Sequence, residues 1–91
     1  MMTSGMIARF KALASRKNEH LLRVKLSKER DIYGYVREVG ADYFIFQEVR
    51  KDARGKAKET SKMIRNLGLV VEFGEITADK LPAPFPMFGV A

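Results

Sequence analysis

The chain has no cysteine and no tryptophan, a single histidine, and three prolines confined to residues 82–86. Without cysteine there are no disulfides and no thiolate metal sites, a composition that suits a reducing, cytoplasmic setting. One imidazole, His20, is too little for a histidine-based metal site and reads as a solvated or capping residue beside a strand start. No run approaches the roughly 18 consecutive apolar residues that a membrane helix needs, so no membrane association is expected. Arg9, Lys11, Arg16 and Lys17 interrupt the N-terminal apolar residues and leave no continuous stretch for a secretory leader. Catalytic parts are missing too. There is no metal-ligand cluster, no nucleophile spaced from a base, and no glycine loop to cradle phosphates. Asp31, Glu38, Asp42 and Glu48 are scattered over turns and strand faces. The expectation is a cytoplasmic, non-enzymatic binding domain without cofactor or metal.

What the sequence does contain is cationic charge, unevenly placed. Of 91 residues, 17 are Lys or Arg and 11 are Asp or Glu, for a net charge of +6. Residues 1–30 and 50–66 are basic, carrying eight cations against two acids and seven against two. Residues 31–49 and 67–91 are net acidic. Such basic blocks attract polyanions by releasing condensed counterions, although a solvated surface has the same composition. A chain of this length forms one domain with a modest core, and oligomerisation is the staple that remains open to it.

Period separates the elements. Thr3 and Ser4 are good N-caps, and Met6, Ile7, Phe10, Leu13 and Ala14 then share one helical face, which predicts a helix over residues 6–18 stopped at Asn18. Alternation follows over residues 21–49. Leu22, Val24 and Leu26 form one strand, IYGYVREV a second and YFIFQEV a third, joined by short polar turns into a meander. Gly34 inside the second strand signals a bend or a close backbone approach. Residues 50–66 break the alternation and are read as a basic insert, either a loop or a short helix from Lys56 onward. LGLVVEF and EITADKL return to strand composition over residues 67–81, and Pro82 begins an apolar tail holding Phe85, Met87 and Phe88. The fold expected is mostly β: an N-terminal helix followed by a five-stranded antiparallel open barrel. The dense apolar tail is expected to dock on its own barrel, on a neighbouring subunit or on a protein partner.

This order, with Val24, Leu26, Gly34 and Val36 at their spacings, resembles the first motif of the Sm-like family, which includes the Sm, LSm and Hfq proteins. Val39 also fits, while Gly40 stands where the family has an aspartate, and the nearest carboxylate is Asp42. Leu67-Gly68-Leu69-Val70-Val71-Glu72-Phe73-Gly74 resembles the second motif, with Glu72 and Phe73 replacing its isoleucine and arginine. The resemblance covers about residues 6–81 and implies an SH3-like barrel that forms a homo-oligomeric ring through its fourth and fifth strands. It implies single-stranded RNA as partner, bound at the loop after the second strand and the loop joining the fourth and fifth. By position those loops hold Gly40, Ala41, Asp42 and Tyr43, then Phe73, Gly74 and Glu75. Tyr43 and Phe73 would stack on bases, with core packing as the alternative for each ring. Arg50, Lys51, Arg54, Lys56 and Lys58, together with Lys62 and Arg65, would attract the backbone. Two other readings stand beside this one. A protein-interaction or structural ring keeps the fold without the uridine pocket, as the substituted positions allow. A double-stranded RNA-binding domain would place a helix at GKAKETSKMIRNLG, but the strand-like LGLVVEFGEI that follows argues against it.

Overall fold

A computed structural model describes residues 3–83 of the chain. One helix, α1 (Ser4–Ala12), precedes five strands: β1 (Leu22–Leu26), β2 (Ile32–Val39), β3 (Tyr43–Lys51), β4 (Ala57–Asn66) and β5 (Val70–Glu75). The strands form one antiparallel sheet in the order β4-β3-β2-β1-β5, which is curved and barrel-like but not closed. Its two edges, β4 and β5, are joined through a 3-10 turn at Leu67–Leu69. The expected fold class is the one observed.

The helix forms where its cap and its apolar face predict. Thr3 Oγ1 accepts the Met6 N–H at 3.2 Å, satisfying one of the open donors of the first turn. Phe10 is fully buried, and Met6, Ile7, Leu13 and Ala14 pack against the core around it. The helix ends well before Asn18 because the sheet claims the chain. Ser15 N–H donates to the Val36 carbonyl at 2.9 Å, and Arg37 takes the carbonyls of Ser15 and Lys17 at 3.0 and 3.3 Å. Asn18 is not a left-handed stop; its side-chain oxygen accepts from Arg37 at 2.8 Å.

Strands β1 to β3 alternate as read. Leu22, Val24, Leu26, Ile32, Val36, Phe44 and Phe46 point inward and are buried. Phe10 stands edge-on to Phe44 at 5.2 Å, and Phe44 edge-on to Phe46 at 6.0 Å, so the helix plugs the barrel through an aromatic stack. Gly34 is a close approach, as anticipated: a Cβ there would lie 2.0 Å from the Gln47 carbonyl oxygen of the adjacent strand. Bulges leave Arg37 of β2, and Thr60 and Ser61 of β4, without a direct partner, and these bend the two long strands.

The strand assignment after residue 50 differs from the expectation. Residues 50–66 are neither loop nor helix: they complete β3, turn, and form β4. β4 lacks apolar alternation because it is an edge strand with solvent on both faces, every residue but Arg65 being exposed. Its structure comes from the ladder to β3, not from a buried face. LGLVVEF, read as the fourth strand, is the 3-10 turn followed by β5. EITADKL, read as the fifth, leaves the sheet after one further bond from Ile76 to the Leu21 carbonyl, and Ala78–Lys80 forms a 3-10 turn. The chain then buries Leu81 apart from the main core, as it does Val49. Of the apolar tail, Phe85, Met87 and Phe88 lie outside the described residues.

Candidate nucleic-acid interface

The hairpin that joins β3 to β4 collects most of the cations singled out in the sequence. Asp52 builds its turn. The backbone N–H of Asp52 donates to Lys56 O at 2.8 Å, and Gly55, at φ 81°, donates back to Asp52 O at 2.9 Å. The Asp52 carboxylate accepts the N–H groups of Arg54 and Lys56, both at 2.9 Å, and lies 3.7 Å from the Lys58 ammonium. The Lys56 and Arg54 backbone bonds and the Lys58 charge hold its pKa below the usual carboxylate range. D-x-x-G at Asp52–Gly55 was the sequence signal for this hairpin, a turn followed by a left-handed glycine.

The ladder then sets Arg50 opposite Lys58 and Lys51 opposite Ala57, with Arg54 and Lys56 at the tip. Like charges directly across a ladder destabilise it, so the Arg50–Lys58 pair opposes folding slightly. Residues 53–64 are all exposed. Within residues 50–58 there are five cations and one acid, and that acid is spent on the turn. Arg50 also lies 3.6 Å from Glu48, a pair in which the arginine is exposed and the carboxylate largely covered.

The other predicted contacts lie elsewhere. Asp42 and Tyr43 sit at the opposite end of β3, roughly 25 Å from Lys51 at the usual rise per residue. The Tyr43 ring covers Gly40, where a Cβ would come within 2.1 Å of it, and its hydroxyl donates to Glu38 at 2.7 Å. That bond, with the Glu38 charge, raises the Tyr43 phenol above its ordinary value. The Asp42 carbonyl accepts the Leu67 N–H at 3.0 Å, so the β2–β3 turn does abut the link from β4 to β5. Phe73 and Gly74 are not in that link. They lie within β5, opposite Val24 and Arg23, and the Phe73 ring packs 4.8 Å from Phe10. Phe73 thus takes the packing alternative.

The structure therefore gathers Arg50, Lys51, Arg54, Lys56 and Lys58 on one ribbon and separates them from Asp42 and Tyr43 and from Phe73 and Gly74. Lys62 follows on the exposed face of β4, while Arg65 turns toward Glu29 at 3.5 Å. Sequence reasoning overlooked Tyr33 and Arg30, which line a groove together with Arg50 and Lys51. The outward positions of the alternating second strand already contained Tyr33. Among the described residues no three His, Cys, Asp or Glu side chains form a metal-binding group, and no helix is long and apolar enough to cross a membrane. Comparison with family models, curated proteins and solved structures gives no match to this chain.

Proposed function

We propose that the chain is an RNA-binding, Sm-like module that self-associates through its two edge strands and meets RNA with the β3–β4 hairpin. One observation carries the ligand: five cations on an exposed ribbon whose acid is consumed by its own turn. Such a surface gains affinity from phosphates by counterion release, with little dependence on base sequence.

Self-association draws support from the edges. Met63 and Ile64 on β4 and Val71 on β5 are the large hydrophobics exposed among the described residues, at 45%, 71% and 45%. All three lie on strands with one unpaired edge, which are sticky unless covered. β4 carries Lys58, Lys62 and Arg65 against Glu59, whereas β5 carries Glu72 and Glu75 and no cation. The β4 edge of one copy therefore complements the β5 edge of the next, a head-to-tail contact that closes into a ring. The strands proposed to pair are thus residues 57–66 and 70–75. A reducing, cytoplasmic setting belongs to the same proposal.

The test combines light scattering with single-stranded RNA binding at low salt, for the full chain and for the double variant Arg54→Glu with Lys56→Glu. The proposal expects several copies per particle, binding by the parent chain and strongly weakened binding by the variant. A monomer removes the ring, and no RNA binding at low salt removes the ligand. The commitment of Tyr43 to Glu38 and Phe73 to Phe10 favours a second reading, a protein-interaction ring without RNA. Recovery of a protein partner after nuclease treatment, with no RNA bound in the salt series, would select it.

A further inference from the structure

The hairpin itself offers no base-stacking surface, for residues 50–66 contain no Phe, Tyr or Trp. An aromatic ring does stand beside its base. Tyr33, half-buried on β2, shares a groove of about 560 Å³ with Val49 and Pro82, and Arg50, Lys51 and Arg30 also line it. That size lies within the range of small-ligand sites. Asp31 and Glu48 contribute carboxylates to the lining, but both are already engaged. Asp31 accepts from Arg23, a residue outside the groove, at 2.8 Å, and Glu48 lies 3.6 Å from Arg50. What results is a largely buried aliphatic residue and an aromatic ring framed by cations, two of which belong to β3 where it enters the hairpin.

We infer that this groove seats one base of a single-stranded nucleic acid, stacked on Tyr33, with the neighbouring phosphates held by Arg50 and Lys51. The inference rests on the RNA-binding reading and adds a base-stacking site to it. A base inside a duplex is stacked on its neighbours and does not reach Tyr33, whereas an unpaired one does. Phosphate contacts at the hairpin tip are blind to that difference. The groove thus supplies a preference for single strands that the tip cannot, and supplies it away from both aromatic positions that the family resemblance implied.

The experiment uses the full chain, a short single-stranded RNA and the duplex formed with its complement, at one low salt concentration. Tyr33→Leu is expected to weaken single-strand binding about tenfold, the usual loss of one stacked base, while duplex binding is unchanged. Tyr33→Phe, which keeps the ring, retains the parent affinity for both. Ultraviolet crosslinking of the unaltered chain to the same single strand, mapped by mass spectrometry, places the adduct on Tyr33 and does not depend on any variant folding. Unchanged single-strand affinity in Tyr33→Leu, an equal loss on both ligands, or adducts only at Tyr43 or Phe73 would overturn the assignment. An Arg54→Glu arm separates the two levels. If that variant loses RNA while Tyr33→Leu does not, the RNA-binding reading stands and the groove assignment falls. If the parent chain binds neither RNA, both fall.

Discussion

The rings of Phe10 and Phe73 lie 4.8 Å apart and tilted by 56°, which ties the N-terminal helix to the edge strand β5. Phe10 is fully buried and also meets Phe44, so it joins three elements at one point. Phe10→Ala should cost about 3–5 kcal/mol in urea denaturation, the usual range for emptying a buried phenylalanine site. Phe73→Leu should lower stability by a smaller amount and leave RNA affinity unchanged in a direct titration, because the ring serves the core.

Two glycines are held differently, Gly34 by space in addition to its φ of 156° and Gly55 by its φ alone. At Gly34 an added Cβ would meet the Gln47 backbone at 2.0 Å, and neither strand can retreat without breaking the ladder. Gly34→Ala should therefore cost about 3 kcal/mol or more, if the variant folds at all. At Gly55 a Cβ meets nothing within 4 Å, and only the left-handed φ of 81° opposes it. Gly55→Ala should cost about 1–2 kcal/mol, the ordinary penalty for a left-handed alanine. Denaturant midpoints of the two variants, with slopes compared, check the ordering.

Arg37 is a structural cation, and replacing it by lysine tests that role. Its side chain is 11% exposed and donates to the Gln47 side chain, to the Ser15 and Lys17 carbonyls and to Asn18, at 2.8–3.3 Å. A lysine keeps the charge but cannot fork to four acceptors. Arg37→Lys should lose about 2 kcal/mol of stability, measured by urea denaturation, with secondary structure retained.

Asp52 gives the hairpin a pH dependence of known sign. Its folded-state pKa is depressed, first by the Lys56 backbone bond, so its contribution is complete above the ordinary carboxylate value. The contribution is lost as pH falls through the lower, folded-state value. Acidification should therefore loosen residues 52–58 before the core, seen as faster amide exchange at Arg54 and Lys56. Asp52→Asn should remove that pH response.

Strands that bury one face were legible in the sequence, and those that do not were not. Leu22, Val24 and Leu26, and likewise Phe44 and Phe46, alternate because the core selects every second residue. β4 leaves no such trace, since neither face of Lys58-Glu59-Thr60-Ser61-Lys62 is buried. Only Asp52 and Gly55 announced it, through turn chemistry. That one missed turn shifted the two later strand assignments and with them the placement of Phe73 and Gly74. The cations of the candidate interface were visible as a charge block, but their alignment on one ribbon depends on the pairing of Arg50 with Lys58. Tyr33 was hidden for a different reason: its groove forms only when Pro82 returns across the sheet.

The central claim is that the β3–β4 hairpin is the RNA contact, and the salt dependence of binding tests it most directly. For single strands the logarithmic slope is about −0.7 per phosphate neutralised, so five hairpin cations predict a slope near −3.5. Reversing Arg54 and Lys56 should reduce its magnitude by about 1.4 or more. A slope unchanged by that double substitution would contradict the account and move the RNA contact elsewhere on the chain.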